Sequence, residues 1–181
     1  MRFLTALAIL LVSLSAHATP QGTAVDDMTR FISERGLLER IGEVGHQVEH
    51  KASELVVNAM TFLGVPYKRG GVSLETGFDC SGFVRAMYQQ TAGLLLPRSA
   101  AQQAAATEKI EKGDLQPGDL VFFNTMRRTF SHVGIYVGNG KFIHSPKPGA
   151  EVRVDDLGLA YWKRRFDGAR RVSVDSADSK P

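Results

Sequence analysis

The sequence predicts an α+β fold in which helices from the first half of the chain pack on an antiparallel sheet of about five short strands. Apolar residues recur at helical spacing through residues 25–63, and after Gly118 the period shortens to that of strands. Helices come first and strands follow, with Gln116-Pro117-Gly118 and Gly138-Asn139-Gly140 as punctuation. The 181 residues, 43% apolar and 23% charged, suit one globular domain rather than a multidomain assembly. Formal charge is +3, and the basic residues gather only in short clusters at Arg127-Arg128, Lys163-Arg164-Arg165 and Arg170-Arg171. A nucleic-acid partner is therefore not expected.

The elements follow in order. Residues 1–18 read as an export leader: Met1-Arg2 is a positive start, Phe3 to Leu14 an apolar run, and Ala16-His17-Ala18 a small-x-small cleavage site. An apolar run of about twelve residues falls short of the roughly 20 that span a bilayer. The mature chain is expected to begin at Thr19, without a transmembrane segment, and to work outside the cytoplasm, in the periplasm or secreted. No cysteine follows the apolar run, which argues against lipidation.

From Val25 to Leu63 the pattern Val25, Met28, Ile32, then Leu37, Ile41, Val44, Val48, then Leu55, Val56, Ala59, Phe62 predicts two or three helices broken at Gly36. Gly64-Val65-Pro66 closes the last, and Lys68 to Gly77 reads as a loop. A helix is expected from Cys80 to about Thr91, capped by Asp79, with Phe83, Val84, Met87 and Tyr88 as its apolar stripe. Another short helix is expected over Ser99 to Thr107. Strands are expected at Asp119–Asn124, His132–Val137, Lys141–Ser145, Glu151–Val154 and Ala169–Val174. Residues 175–181 are polar and are expected to be a disordered tail.

The single cysteine excludes an intramolecular disulfide framework and needs its own explanation in an exported protein. In Phe78-Asp79-Cys80-Ser81-Gly82 it would open a helix, where free N–H groups and the helix dipole lower a thiol pKa and can hold an oxyanion. A nucleophilic thiol also needs a base. His132 and His144 flank a predicted hairpin, and its register decides whether their rings meet. A two-residue Asn139-Gly140 turn pairs Gly138 with Lys141 and puts the histidines on opposite faces. A three-residue Gly138–Gly140 loop pairs Val137 with Lys141, sets His132 opposite Pro146 and brings His144 diagonally beside it. Catalysis by this pair requires the second register, with His132 as base and His144 orienting it.

Six elements in this order resemble the NlpC family of cell-wall cysteine peptidases: Gly64-Val65-Pro66-Tyr67 with Gly70-Gly71; Asp79-Cys80-Ser81-Gly82-Phe83; Leu96-Pro97-Arg98-Ser99-Ala100-Ala101-Gln102; Leu115 to Phe123; Ser131-His132-Val133-Gly134-Ile135-Tyr136; and Phe142-Ile143-His144. The resemblance implies a papain-like fold, Cys80 as nucleophile, His132 as base and His144 as the polar third residue. It also places Tyr67 and the Cys80 main-chain amide at the active site, and suggests that Asp79, Ser81 and Arg98 contact substrate. Read on their own, Asp79 is equally a helix cap, Tyr67 a loop closure and Arg98 a surface residue. Arg69 departs from the aromatic or apolar residue many relatives carry there.

With the leader at 1–18, the helical extension at 19–50 and the tail at 175–181 read from the residues themselves, the resemblance marks 51–174 as the catalytic domain. It implies a cofactor-free enzyme without a metal, acting on peptidoglycan stem peptides. The Tyr161-Trp162, Arg165-Phe166 and Ala169-Arg170-Arg171 ending is most like the Gram-negative periplasmic endopeptidases, for which the D-Ala to meso-diaminopimelate cross-link is the expected bond. The γ-D-glutamyl to diaminopimelate bond is the alternative within the family. An amidase or acyltransferase on the same Cys-His pair, or a non-catalytic wall-binding protein, are further readings. His46-Gln47-Val48-Glu49-His50 fits H-x-x-E-H, the pattern of a zinc peptidase, but has no supporting third ligand and reads as a solvated helix face.

Overall fold

The computed structural model describes residues 50–173, which lie within one compact unit, Val44–Pro181. The leader, the helical extension up to residue 49, most of the H-x-x-E-H segment and the tail lie outside the described residues. Helix α1, residues 50–60, buries Leu55 and Ala59, four residues apart on one face, as the helical period requires. The segment after it, expected to be loop throughout, contains a small antiparallel pair, β1 (Val72–Ser73) with β2 (Gly77–Phe78).

Helix α2 (Cys80–Ala92) begins where expected: the Asp79 carboxylate accepts the Gly82 N–H at 2.8 Å, and Gly93, at φ 71°, closes the other end. Helix α3 (Ala100–Ala105) is shorter than its expected span and starts with a capping box between Ser99 and Gln102. One further turn, α4 (Ala160–Lys163), has too few residues to leave a periodic trace.

The sheet has six strands: β3 (Glu108–Ile110), β4 (Leu120–Phe123), β5 (His132–Gly138), β6 (Lys141–His144), β7 (Arg153–Asp156) and β8 (Phe166–Arg171). Their order is β3-β8-β4-β5-β6-β7, with every neighbouring pair antiparallel. The sixth strand, β3, is an edge paired only with β8, and its Glu-Lys-Ile sequence offers no alternation long enough to read. β7 and β8 run over 153–156 and 166–171 instead of 151–154 and 169–174.

Both faces of the central strands are covered. Leu120 and Phe122 of β4, Val133 and Ile135 of β5 and Ile143 of β6 face the helices, joining Phe78, Phe83, Val84 and Met87. Val121, Phe123 and Phe142 face the opposite way against Leu157 and Trp162. β4 is consequently buried at all four residues and reads as a continuous apolar run.

The β5–β6 hairpin corrects the expected loop. Asn139 and Gly140 both have positive φ, 51° and 71°, and form a two-residue turn with Gly138 opposite Lys141. The register then shifts by one at Val137, so that Tyr136 faces Phe142 and Ile135 faces Ile143. The bulge thus combines the turn that Asn-Gly favours with the register that puts both histidines on one face. Gly134 falls opposite His144 in this register, and a Cβ there would lie 2.7 Å from the Phe142 ring, 2.9 Å from the Ile143 carbonyl oxygen and 3.1 Å from the His144 Cβ. Replacing Gly134 by Ala is expected to push β6 away, costing about 1–3 kcal/mol of stability. Thermal denaturation with native-state histidine NMR checks it: a lowered midpoint and displaced His144 resonances are expected.

Candidate active site

A groove of about 720 Å³ opens at the end of the sheet where β5 begins, lined among others by Tyr67, Asp79, Cys80, Ser81, His132 and Trp162. The helix start delivers Cys80 to it. The backbone N–H groups of Val133, Ser81 and Cys80 itself are directed at the thiol. These donors favour a negative sulfur, yet burial, with the Asp79 carboxylate adding to it, pushes the Cys80 thiol above its ordinary value. The lowered pKa expected from the helix N-terminus is therefore reversed, because desolvation outweighs the local dipoles.

His132 Nε2 and His144 Nδ1 are 2.7 Å apart, and His144 Nε2 lies 3.0 Å from Asp155 Oδ2. His132 Nδ1 makes no hydrogen bond with another described residue, which leaves it as the nitrogen available to Cys80 across the groove. Both rings are buried, at 3% and 0% exposure. Burial, followed by the neighbouring His144, holds His132 well below the usual histidine range. Burial also lowers His144, outweighing the opposing hydrogen bond to Asp155. The hydrogen bond from His144, with those from Arg153, keeps Asp155 far below the usual carboxylate range. These shifts favour the neutral forms of the thiol and of both imidazoles, and the ionised form of Asp155.

Trp162 closes the far side. Its ring stacks on His132 with centroids 5.6 Å apart, stands edge-on to His144 at 5.0 Å, and its Nε1–H donates to Asp155 Oδ2 at 3.0 Å. Sequence reasoning quoted Trp162 only within an ending motif and missed Asp155. The available signal was strand alternation: Arg153 and Asp155 share a face of β7, and β7 pairs with β6 so that Asp155 opposes Phe142, two residues from His144.

The remaining expected site residues cluster on the opposite wall. Asp79 accepts from Gly82 and Gly70 backbone N–H groups and from Arg98, whose Nη1 lies 3.0 Å from Oδ1 and 3.1 Å from Ser81 Oγ. Asp79 is thus the helix cap that one reading proposed, and also an ion-pair partner. Arg98 is not a free surface residue: the hydrogen bond to Asp79 raises its already high pKa. Behind them, buried Gln103 donates to the Ser81 and Pro97 carbonyls, locking α3 to the start of α2. Tyr67 lines the groove, and burial, then Cys80 and Asp79, push its phenol up. Arg69 also reaches the groove. Among the described residues no cluster of His, Cys, Asp and Glu has the geometry to hold a metal.

A thiol at a helix start that shares one groove with the first ring of a buried imidazole pair, on a half-helical, half-sheet scaffold, defines a papain-like thiol-hydrolase architecture. The chain belongs to the NlpC/P60 family, whose pattern matches residues 64–171. It is 46% identical over 126 residues to the murein DD-endopeptidase MepH of Escherichia coli strain K12, covering 67% of this chain and 46% of MepH. It is 35% identical over 172 residues to the murein DD-endopeptidase MepS/murein LD-carboxypeptidase of the same strain, covering 92% of this chain and 88% of that protein. Among solved structures, the NlpC/p60 domain of the peptidoglycan hydrolase SagA superposes with a TM-score of 0.59 at 34% identity, covering 67% of this chain and 98% of that one. The chain spans less than half the length of MepH.

Because burial and Asp79 raise the thiol pKa, the thiolate fraction at neutral pH is small and grows as pH rises through and above the ordinary cysteine range. Iodoacetamide alkylation of Cys80 is expected to accelerate continuously with pH across that range. A rate plateau from acidic to neutral pH would reveal a standing thiolate–imidazolium pair and contradict the assignment.

Proposed function

We propose that this protein is an exported cysteine endopeptidase that hydrolyses peptide bonds in peptidoglycan, the D-Ala to meso-diaminopimelate cross-link being the favoured bond. The observation that carries the chemistry is that Cys80 and His132 line one groove, with the buried His144 ring behind His132 at 2.7 Å. Support for the bond comes from MepH and MepS, both named murein DD-endopeptidases. Export rests on the leader-like residues 1–18, and no described helix is long and apolar enough to cross a membrane.

In this mechanism His132 Nδ1 takes the proton from Cys80 Sγ as the sulfur attacks the scissile carbonyl. The proton transfer accompanies attack, since the resting thiol is neutral. The oxyanion forms at the N-terminus of α2, where the Cys80 N–H and the helix dipole favour negative charge. His132 then protonates the leaving amine, leaving an acyl-thioester on Cys80. Water attacks that thioester with His132 again as base, releasing the carboxylate product and the free thiol. Tyr67, Asp79 and Ser81 line the opposite wall, with Arg98 bonded to Asp79 and Ser81, and offer charged and hydroxyl groups to a polar stem peptide.

MepS carries a carboxypeptidase name as well as an endopeptidase one, so the product decides the bond. Digestion of purified cross-linked peptidoglycan, followed by mass spectrometry, is expected to show dimeric muropeptides converted to monomers with intact tetrapeptide stems. Cys80→Ala is expected to lower this conversion at least about a thousandfold while leaving the thermal midpoint within a few degrees. Fragments cut after γ-D-glutamate would assign the other family bond, and undiminished conversion by Cys80→Ala would refute the thiol mechanism.

A further inference from the structure

We infer that Asp155 is a positioning residue that sets the tautomer of His132 through His144, so that the base presents an unprotonated Nδ1 to Cys80. The inference rests on the reading of His132 as the base. It follows from counting donors and acceptors along one line of contacts. Asp155 Oδ2 faces three nitrogen groups: His144 Nε2 at 3.0 Å, Trp162 Nε1 at 3.0 Å and Arg153 Nη2 at 3.0 Å. Indole N–H and guanidinium can only donate, so Oδ2 acts as an acceptor. The neutral His144 ring therefore carries its proton on Nε2 and turns a lone pair outward on Nδ1.

That lone pair lies 2.7 Å from His132 Nε2, which must in turn be the protonated nitrogen. A neutral His132 has one ring proton. With Nε2–H committed to His144, Nδ1 is bare, as a base for the Cys80 thiol must be. The opposite arrangement would aim a His144 lone pair at a carboxylate 3.0 Å away and load His132 Nδ1 with a proton before the reaction begins. Packing leaves the rings little freedom to turn away, because Trp162 stacks on one and stands edge-on to the other, while Phe142 lies 4.7 Å from His144 between ring centroids. Asp155 is itself tethered: Arg153 Nε donates to Oδ1 at 3.2 Å, and β7 pairs with β6 along its length. When His132 becomes positive during attack, the same carboxylate lies at the end of the chain to stabilise the charge.

The test has a readout that a merely structural residue would not move. Long-range proton–nitrogen NMR of the ¹⁵N-histidine-labelled wild-type protein at neutral pH is expected to show His132 protonated at Nε2 and bare at Nδ1, and His144 likewise. Asp155→Ala, which removes the acceptor from His144 Nε2, is expected to populate the opposite tautomer of both rings, whereas Asp155→Asn keeps an acceptor, because Trp162 and Arg153 hold the amide oxygen at the Oδ2 position. On cross-linked muropeptides Asp155→Ala is expected to lower kcat about ten- to a hundredfold, less than the loss of a direct partner of the base, with KM little changed. Asp155→Glu is expected to recover part of kcat and the wild-type tautomer. The inference is overturned if wild-type His132 carries its proton on Nδ1, a result that needs no variant to fold and no turnover. It is also overturned if Asp155→Ala keeps both the tautomer and kcat. Since the tautomer is read without substrate, failure of the proposed peptidase reading, seen as activity surviving in Cys80→Ala, stays separate from failure of this one.

Discussion

The register of the β5–β6 hairpin is the constraint on which the site depends. Side chains alternate along a strand, so a slip of one residue would send His144 to the helical side of the sheet and leave His132 alone. The Asn139-Gly140 turn by itself favours that wrong pairing. A bulge at Val137 absorbs the odd residue, and the strand segments beyond it return to the pairing that places His132, Gly134 and His144 on one face. Gly134 then leaves space for His144, whose ring reaches His132 on one side and Asp155 on the other. Local turn chemistry and long-range active-site geometry are thus reconciled within three residues.

Around that register the protein sets two buried imidazoles beside a half-buried thiol at one groove. Burial suppresses the charged forms of Cys80, His132 and His144, and the ionised carboxylate of Asp155 stands two rings away from the thiol. In the proposed mechanism, a charge created at Cys80 is met by backbone N–H groups on the sulfur side and by the imidazole chain on the other. The polar cluster of Asp79, Ser81 and Arg98 sits apart from this chain, on α2 and the segment leading to α3, tied down by Gln103. The two clusters thus belong to different layers: the sheet holds the paired histidines, and the helical layer holds Cys80 with Asp79, Ser81 and Arg98.

Much of this was legible in the residues because the signals were local. Asp79 before an apolar helical stripe marks the start of α2, and Ser99 with Gln102 marks α3. The five longer strands announced themselves through alternation or continuous apolar runs, although their ends shifted. What escaped were features too short or too distant for a pattern: the three-residue edge β3, the single turn α4, and the β1–β2 pair inside a glycine-rich segment. The thiol pKa was misjudged because a helix start is visible in sequence while the depth of burial is not. Asp155 was missed since its strand was expected to end at Val154, and its role depends on a pairing with β6 and a tryptophan from a later turn. The choice between two hairpin registers could be framed from sequence but not decided, since a bulge at a valine has no signature of its own.

The central claim is that Cys80 carries the acyl group of the cleaved peptide. Rapid acid quench of the mature protein turning over cross-linked muropeptide, with intact-protein and peptide mass spectrometry, tests it most directly. The account predicts a transient adduct with the mass of the acyl-donor stem, mapped to the peptide containing Cys80 and released by hydroxylamine as a thioester should be. Substrate turnover with no adduct on Cys80 at any quench time, and product carboxylate formed at full rate after the thiol has been alkylated, would contradict it.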